Sequence, residues 1–250
     1  MGVFLAELTW PEAERRLRPD TVVVIPLGAA AKEHGPHLPL NTDQLQADYL
    51  ANRIAERADV LIAPTVTYSF YPAFVEYPGS TTLRRESARD LIVDICRSLA
   101  AFGPKRFYVL NTGISTLAPL ADAAVPLAPD GILLHAHDPR AAIAALEQAL
   151  LHQPRGTHAD EAETSKMLYI APATVDMTKA IPDLHPESPS GGGLTRDPTK
   201  PGVFSPTGTW GDPTLATVEK GRRLVEAEVE AILREIEHLR QSPMPANVAE

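Results

Sequence analysis

Every residue of Thr21-Val22-Val23-Val24-Ile25 is β-branched, and the run shows no alternation with polar positions. A strand with one wet face would alternate, so this one suits a parallel sheet covered by helices on both sides. Three further strands fit the same sheet. Val60-Leu61-Ile62-Ala63 is closed by Pro64, Phe107 to Leu110 breaks at Asn111-Thr112-Gly113, and Gly131 to His135 is the last.

Helical patterns separate these strands. Thr9 with Glu12 three residues on forms a capping box, and Thr42 opens a helix carrying Leu45, Tyr49, Leu50 and Ile54. A helix from Arg85 to Phe102 stops at Gly103-Pro104, and another spans about residues 140–151. The last runs from Pro213 to Arg240, with Asp212 as cap and Val225, Val229, Ile232, Ile236 and Leu239 as one stripe. That stripe suits the sheet or another subunit, with the sheet preferred. Strands alternating with helices predict a layered α/β domain with right-handed crossovers. We read one domain over residues 1–250, with a Pro/Gly-rich excursion from Pro182 to Pro213.

Composition removes several alternatives. With 23 basic against 32 acidic residues, a net charge of −9 argues against a nucleic-acid partner. No apolar run reaches the ~18 residues of a membrane span, and no signal peptide is evident, so the cytoplasm is the expected compartment. Cys96 is the only cysteine, so any metal must be held by nitrogen and oxygen.

In parallel sheets, ligands bind at the carboxyl ends of strands. The loop after the first buried strand holds Glu33, His34, His37 and Asp43, stiffened by Pro36 and Pro39. Imidazole with carboxylate is a ligand set for zinc or manganese. A second cluster is His158 with Asp160, Glu161 and Glu163. Acidic residues at a helix start are favoured by its dipole alone, but an inward-facing Glu163 beside His158 needs a metal or a proton to justify its burial. His135 and His137, alternating at a strand end, form a third and weaker grouping.

These residues resemble the creatininase family of metal-dependent amidohydrolases. The resemblance rests on Ile25-Pro26-Leu27-Gly28, His34-Gly35-Pro36-His37-Leu38-Pro39-Leu40 and Thr42-Asp43, then Tyr77-Pro78-Gly79-Ser80. It continues through His158-Ala159, Glu163-Thr164-Ser165 and Gly211-Asp212-Pro213, in order. It implies a three-layer α/β/α sandwich with a mainly parallel central sheet, and hexameric assembly. It also implies hydrolysis of a small cyclic or linear amide by a metal-activated water. Glu33, His34 and Asp43 would be metal ligands; His158 and Glu163 would be catalytic. The pattern departs at three positions. Lys32 stands where the family has a ligand glutamate, Gly113 where it has a ligand histidine, and Ser115 where a further ligand follows. The expected cofactor is therefore a divalent zinc or manganese ion, one or none rather than two. The alternatives are a ligand-binding or assembly protein without the binuclear centre, and metal-free acid–base chemistry.

Overall fold

The central strands are buried on both faces, and successive residues pack into two different helical layers. The computed structural model describes residues 1–154, 156–185 and 193–245. Strands β1 (Val3–Phe4), β2 (Val22–Leu27), β3 (Leu61–Ile62), β4 (Arg106–Asn111) and β5 (Leu133–Ala136) form one parallel sheet in the order β1-β3-β2-β4-β5. Val23, Ile25 and Leu27 of β2, with Phe107 and Val109 of β4, face helices α3 (Arg85–Ala100) and α4 (Leu117–Leu127). The intervening Val22, Val24, Tyr108 and Leu110 face α2 (Thr42–Ala55) and α7 (Val218–Gln241). The stripe Val225, Val229, Ile232, Ile236 and Leu239 therefore packs on the sheet. Each such side chain contributes about 1.5–3 kcal/mol on burial, well above the differences in helix propensity between ordinary residues.

Three further helices complete the set: α1 (Trp10–Arg16), α5 (Ala144–Leu150) and α6 (Glu161–Ile170). The capping box of Thr9 and Glu12 on α1 is formed. Strand β1 and helix α4 were not expected from the sequence. The terminal helix also begins later than Pro213: a 3-10 turn, Pro213–Leu215, capped by Asp212, precedes α7, which is capped by Thr217. Within the Pro/Gly-rich excursion, Leu194–Thr195 and Val203–Phe204 form a small parallel pair, β6 and β7, while residues 186–192 lie outside the described residues.

Two glycines let the layers close where the site lies. A Cβ on Gly28 would sit 2.2 Å from the Asp43 carbonyl oxygen, so only glycine lets the first turn of α2 rest on the end of β2. A Cβ on Gly221 would sit 1.8 Å from the Ser165 oxygen, where α6 crosses α7. The carboxyl ends of β2 and β4 and the start of α6 thereby converge.

Candidate metal centre

Asp43 lies in the first turn of α2 and is 1% exposed. Its Oδ1 lies 3.0 Å from His34 Nε2 and its Oδ2 lies 2.7 Å from Lys32 Nζ. The lysine contact is a short ion pair whose angle is poor for a hydrogen bond, since Oδ2 accepts none. Burial opposes the charge on Asp43, yet Lys32 and His34 hold its carboxyl well below the usual range. Burial likewise opposes the Lys32 charge, and Asp43 with Glu163 outweighs it, raising the ammonium pKa.

Glu163 arrives from the opposite side. The chain turns sharply at Ala159, which takes the left-handed conformation at φ 48°, costly for a residue other than glycine. Asp160 then caps α6 by accepting from the Ala162 and Glu163 amides, and Glu163 Oε2 accepts from the Ala159 amide at 2.7 Å. This folds Glu163 back over His158. Its Oε1 lies 3.6 Å from His34 Nε2, and its Oε2 lies 3.7 Å from His158 Nδ1.

The two histidines are oriented from behind. His34 Nδ1 donates to the Lys32 carbonyl at 2.9 Å; His158 Nε2 donates to Glu33 Oε1 at 2.8 Å and the Glu33 carbonyl at 3.0 Å. His158 thus turns Nδ1 toward Glu163, and His34 turns Nε2 toward both Asp43 and Glu163. Lone pairs facing carboxylate oxygens repel unless positive charge lies between them, either a proton on each ring or one shared ion. His34, His158 and Glu163 offer ligand atoms all within 4.8 Å of one another. Two imidazoles and a carboxylate with an open fourth position is the composition of a catalytic zinc site, and a bonded outer ring nitrogen is the usual posture of a metal-ligating histidine.

The three positions where the family pattern has further ligands supply none here. Gly113 offers no side chain, and a Cβ there would sit 3.1 Å from Thr116 Oγ1. Ser115 Oγ donates to the Phe70 carbonyl at 2.9 Å. Lys32 places an ammonium, not a donor atom, on the far oxygen of Asp43.

Of the residues singled out in the sequence, His34, His158 and Glu163 meet as one group, with Asp43 at its edge. Glu33 turns away from that group, engaging His158 and the Gly35 amide at 2.9 Å. His37 Nε2 meets Thr164 Oγ1 at 2.8 Å, and burial lowers its pKa to about 4, leaving the ring neutral. Sequence reasoning missed Lys32 as a participant. The reversal of charge from the family's glutamate was the only signal available.

The site opens into a cleft of about 300 Å³ whose lining includes Lys32, Phe74, Gly113, His158, Glu163 and Trp210. Trp210 Nε1 is buried and has no hydrogen-bond partner among the described residues.

The family model described as creatinine amidohydrolase matches residues 6–236. The chain belongs to the creatininase family. A crystal structure of creatinine amidohydrolase superposes with a TM-score of 0.80 at 26% identity, covering 96% of this chain and 99% of that one. A zinc–zinc form of a creatininase variant and a manganese creatininase align at TM-scores of 0.79 and 0.78. Creatinine amidohydrolase of Pseudomonas putida is 34% identical over 116 residues, 44% of each chain. The mycofactocin precursor peptide peptidase of Mycobacterium tuberculosis is 29% identical over 247 residues, covering 89% of this chain and 86% of its own. Among the described residues, no helix is long and apolar enough to cross a membrane.

His135 and His137 belong to a separate cluster. His137 Nδ1 lies 3.0 Å from Glu235, and its Nε2 lies 3.6 Å from Glu228, which also pairs with Lys166 at 2.8 Å. Tyr108 donates to Glu235 at 2.7 Å, and His135 lies 3.5 Å from that carboxylate. Burial opposes a charged His137, but the two glutamates outweigh it and raise its pKa to about 9. This charge stabilises the fold fully below the ordinary histidine pKa of ~6.5, and the benefit is lost as pH rises toward the folded value. In His137→Gln, the fall in stability over that alkaline range should flatten. Denaturant midpoints measured across it check this, and an unchanged fall would contradict it.

Proposed function

We propose that the chain hydrolyses the C–N bond of a small cyclic or linear amide, with one divalent zinc or manganese ion on His34, His158 and Glu163. The observation that carries the reading is the pair of imidazoles, each held from behind, whose inner nitrogens lie with a Glu163 oxygen within 4.8 Å of one another. When bound there, the ion would supply Lewis acidity, acidifying a water and polarising the amide carbonyl.

The chain's own groups do the rest. Glu33 and the Lys32 carbonyl keep the outer proton of each ring in place. Asp43 Oδ1, 3.0 Å from His34 Nε2, is the carboxylate placed to take a proton from the attacking water and return it to the departing nitrogen. Phe74, Leu194 and Trp210 give the cleft apolar wall. The relatives bear on the substrate only as a class. Creatinine, a peptide precursor and 3-dehydro-scyllo-inosose appear in the names of similar proteins.

A metal-free reading has one observation in its favour. Glu33 and Glu163 outweigh the effect of burial and raise the His158 pKa, which suits an imidazolium acting as an acid. Amine release from a panel of small lactams, formamides and short peptides separates the two. Release by zinc- or manganese-loaded protein that chelator abolishes, and the ion restores, is expected. Release indifferent to chelator would transfer the chemistry to the His158–Glu33 pair.

A further inference from the structure

Lys32 is 5% exposed, yet it belongs to the lining of the cleft. Its ammonium lies over aromatic rings, with Nζ 4.8 Å from the Phe74 centroid and 5.9 Å from that of Tyr71. Among the described residues its one ion pair is with Asp43, contacted at 2.7 Å on the oxygen that His34 does not use. An ammonium has three donors, and among the described residues Nζ meets no acceptor besides Asp43. Because Lys32 lines the cleft, the N–H groups that Asp43 does not engage are available to an oxygen brought in by the ligand. Asp43 thereby holds positive charge on both sides: the His34 side, where the ion would lie, and the lysine side.

We infer that the Lys32 ammonium is the second cation of this centre and binds the oxygen of the scissile carbonyl. The inference rests on the one-ion hydrolase reading above and adds a residue to it. As water adds to the carbonyl carbon, the C=O electron pair moves onto oxygen, and Lys32 meets that charge with N–H groups already in place. No proton need leave the lysine. The C–N bond then breaks, the proton taken from water goes to nitrogen, and the products are a carboxylic acid and an amine. The site therefore accepts amides whose carbonyl oxygen can reach the Asp43–Phe74 side of the cleft, and it has one place for a divalent ion.

Cobalt(II) titration, read by its d–d absorbance, joined to steady-state rates on whichever amide of the panel is cleaved, tests this in wild type, Lys32→Met and Lys32→Arg. Wild type should bind one equivalent. In Lys32→Met the ion should bind tighter, on the order of tenfold or more, because a buried positive charge beside the centre no longer repels it. At the same time kcat should fall about 100-fold, with KM changed far less. Lys32→Arg should keep the wild-type ion affinity and part of the rate. Tighter ion binding with slower turnover is a combination that a damaged fold does not produce. If Lys32→Met does not fold, Lys32→Gln, polar but uncharged, carries the same expectation. Two equivalents in wild type, or unchanged or weaker ion affinity in the neutral variants, or an unchanged kcat, would each overturn the role of Lys32. A wild type that binds no cobalt would instead overturn the one-ion reading itself, and the inference with it.

Discussion

Glu163→Gln should lose at least about 1,000-fold in kcat/KM, about 4 kcal/mol of transition-state stabilisation, while the protein stays folded. The substitution keeps the volume and leaves an oxygen able to accept from the Ala159 amide, the contact that shapes the turn. It removes the negative charge that both His34 Nε2 and His158 Nδ1 face at 3.6 and 3.7 Å. Because those rings already donate on their far sides, neither can reorient to satisfy a glutamine without breaking a bond to the Lys32 carbonyl or to Glu33. Ion affinity should fall with the rate, by about 100-fold or more. Kinetics, an ion-binding isotherm and a thermal melt on the same preparation check all three parts. A rate within tenfold of wild type would remove Glu163 from the reacting centre.

The largest effect on stability is expected at Asp43. Asn in its place leaves the Lys32 ammonium buried without a counter-ion, and breaking a buried pair in this way costs about 3–5 kcal/mol. Asp43 has a depressed folded pKa, so its contribution is present above the unfolded value of ~3.9 and is lost as pH falls through the folded one. The variant should therefore be less stable at neutral pH and less sensitive to acid. The double variant Lys32→Met/Asp43→Asn removes both charges and should recover most of the loss. Urea melts of the two single variants and the double variant complete the cycle. Additive costs would show that the two side chains do not act as a pair, although they lie 2.7 Å apart.

The layers were legible because burial writes a simple pattern. The β-branched run at β2 and the stripe on α7 each state which neighbours they need, and both found them. Helix α4 was not legible. Its sequence, Leu117 to Leu127, is apolar on nearly every side and contains Pro119 and Pro126, so it shows no 3.6-residue rhythm and carries the residue that usually ends a helix. Strand β1 has two residues, too few for any period.

The candidate site was half legible for a related reason. His34, Asp43, His158 and Glu163 stood out by type and spacing, and the family resemblance carried their order. The division of labour around them depends on which way each side chain turns. In the extended stretch Lys32-Glu33-His34, alternate residues share a side, so Lys32 and His34 both reach Asp43 while Glu33 turns to His158. A shift of one residue along this stretch is enough to exchange ligand and supporting residue. Lys32 needed its partner on another element, eleven positions on, before its charge could be given a use.

Metal content per subunit, measured by elemental analysis on protein purified without chelator, tests the centre most directly. One zinc or manganese ion per subunit, lost in Glu163→Gln, is the expected result. Two ions per subunit, or fewer than about 0.2, would contradict a centre built on two imidazoles, one carboxylate and a lysine.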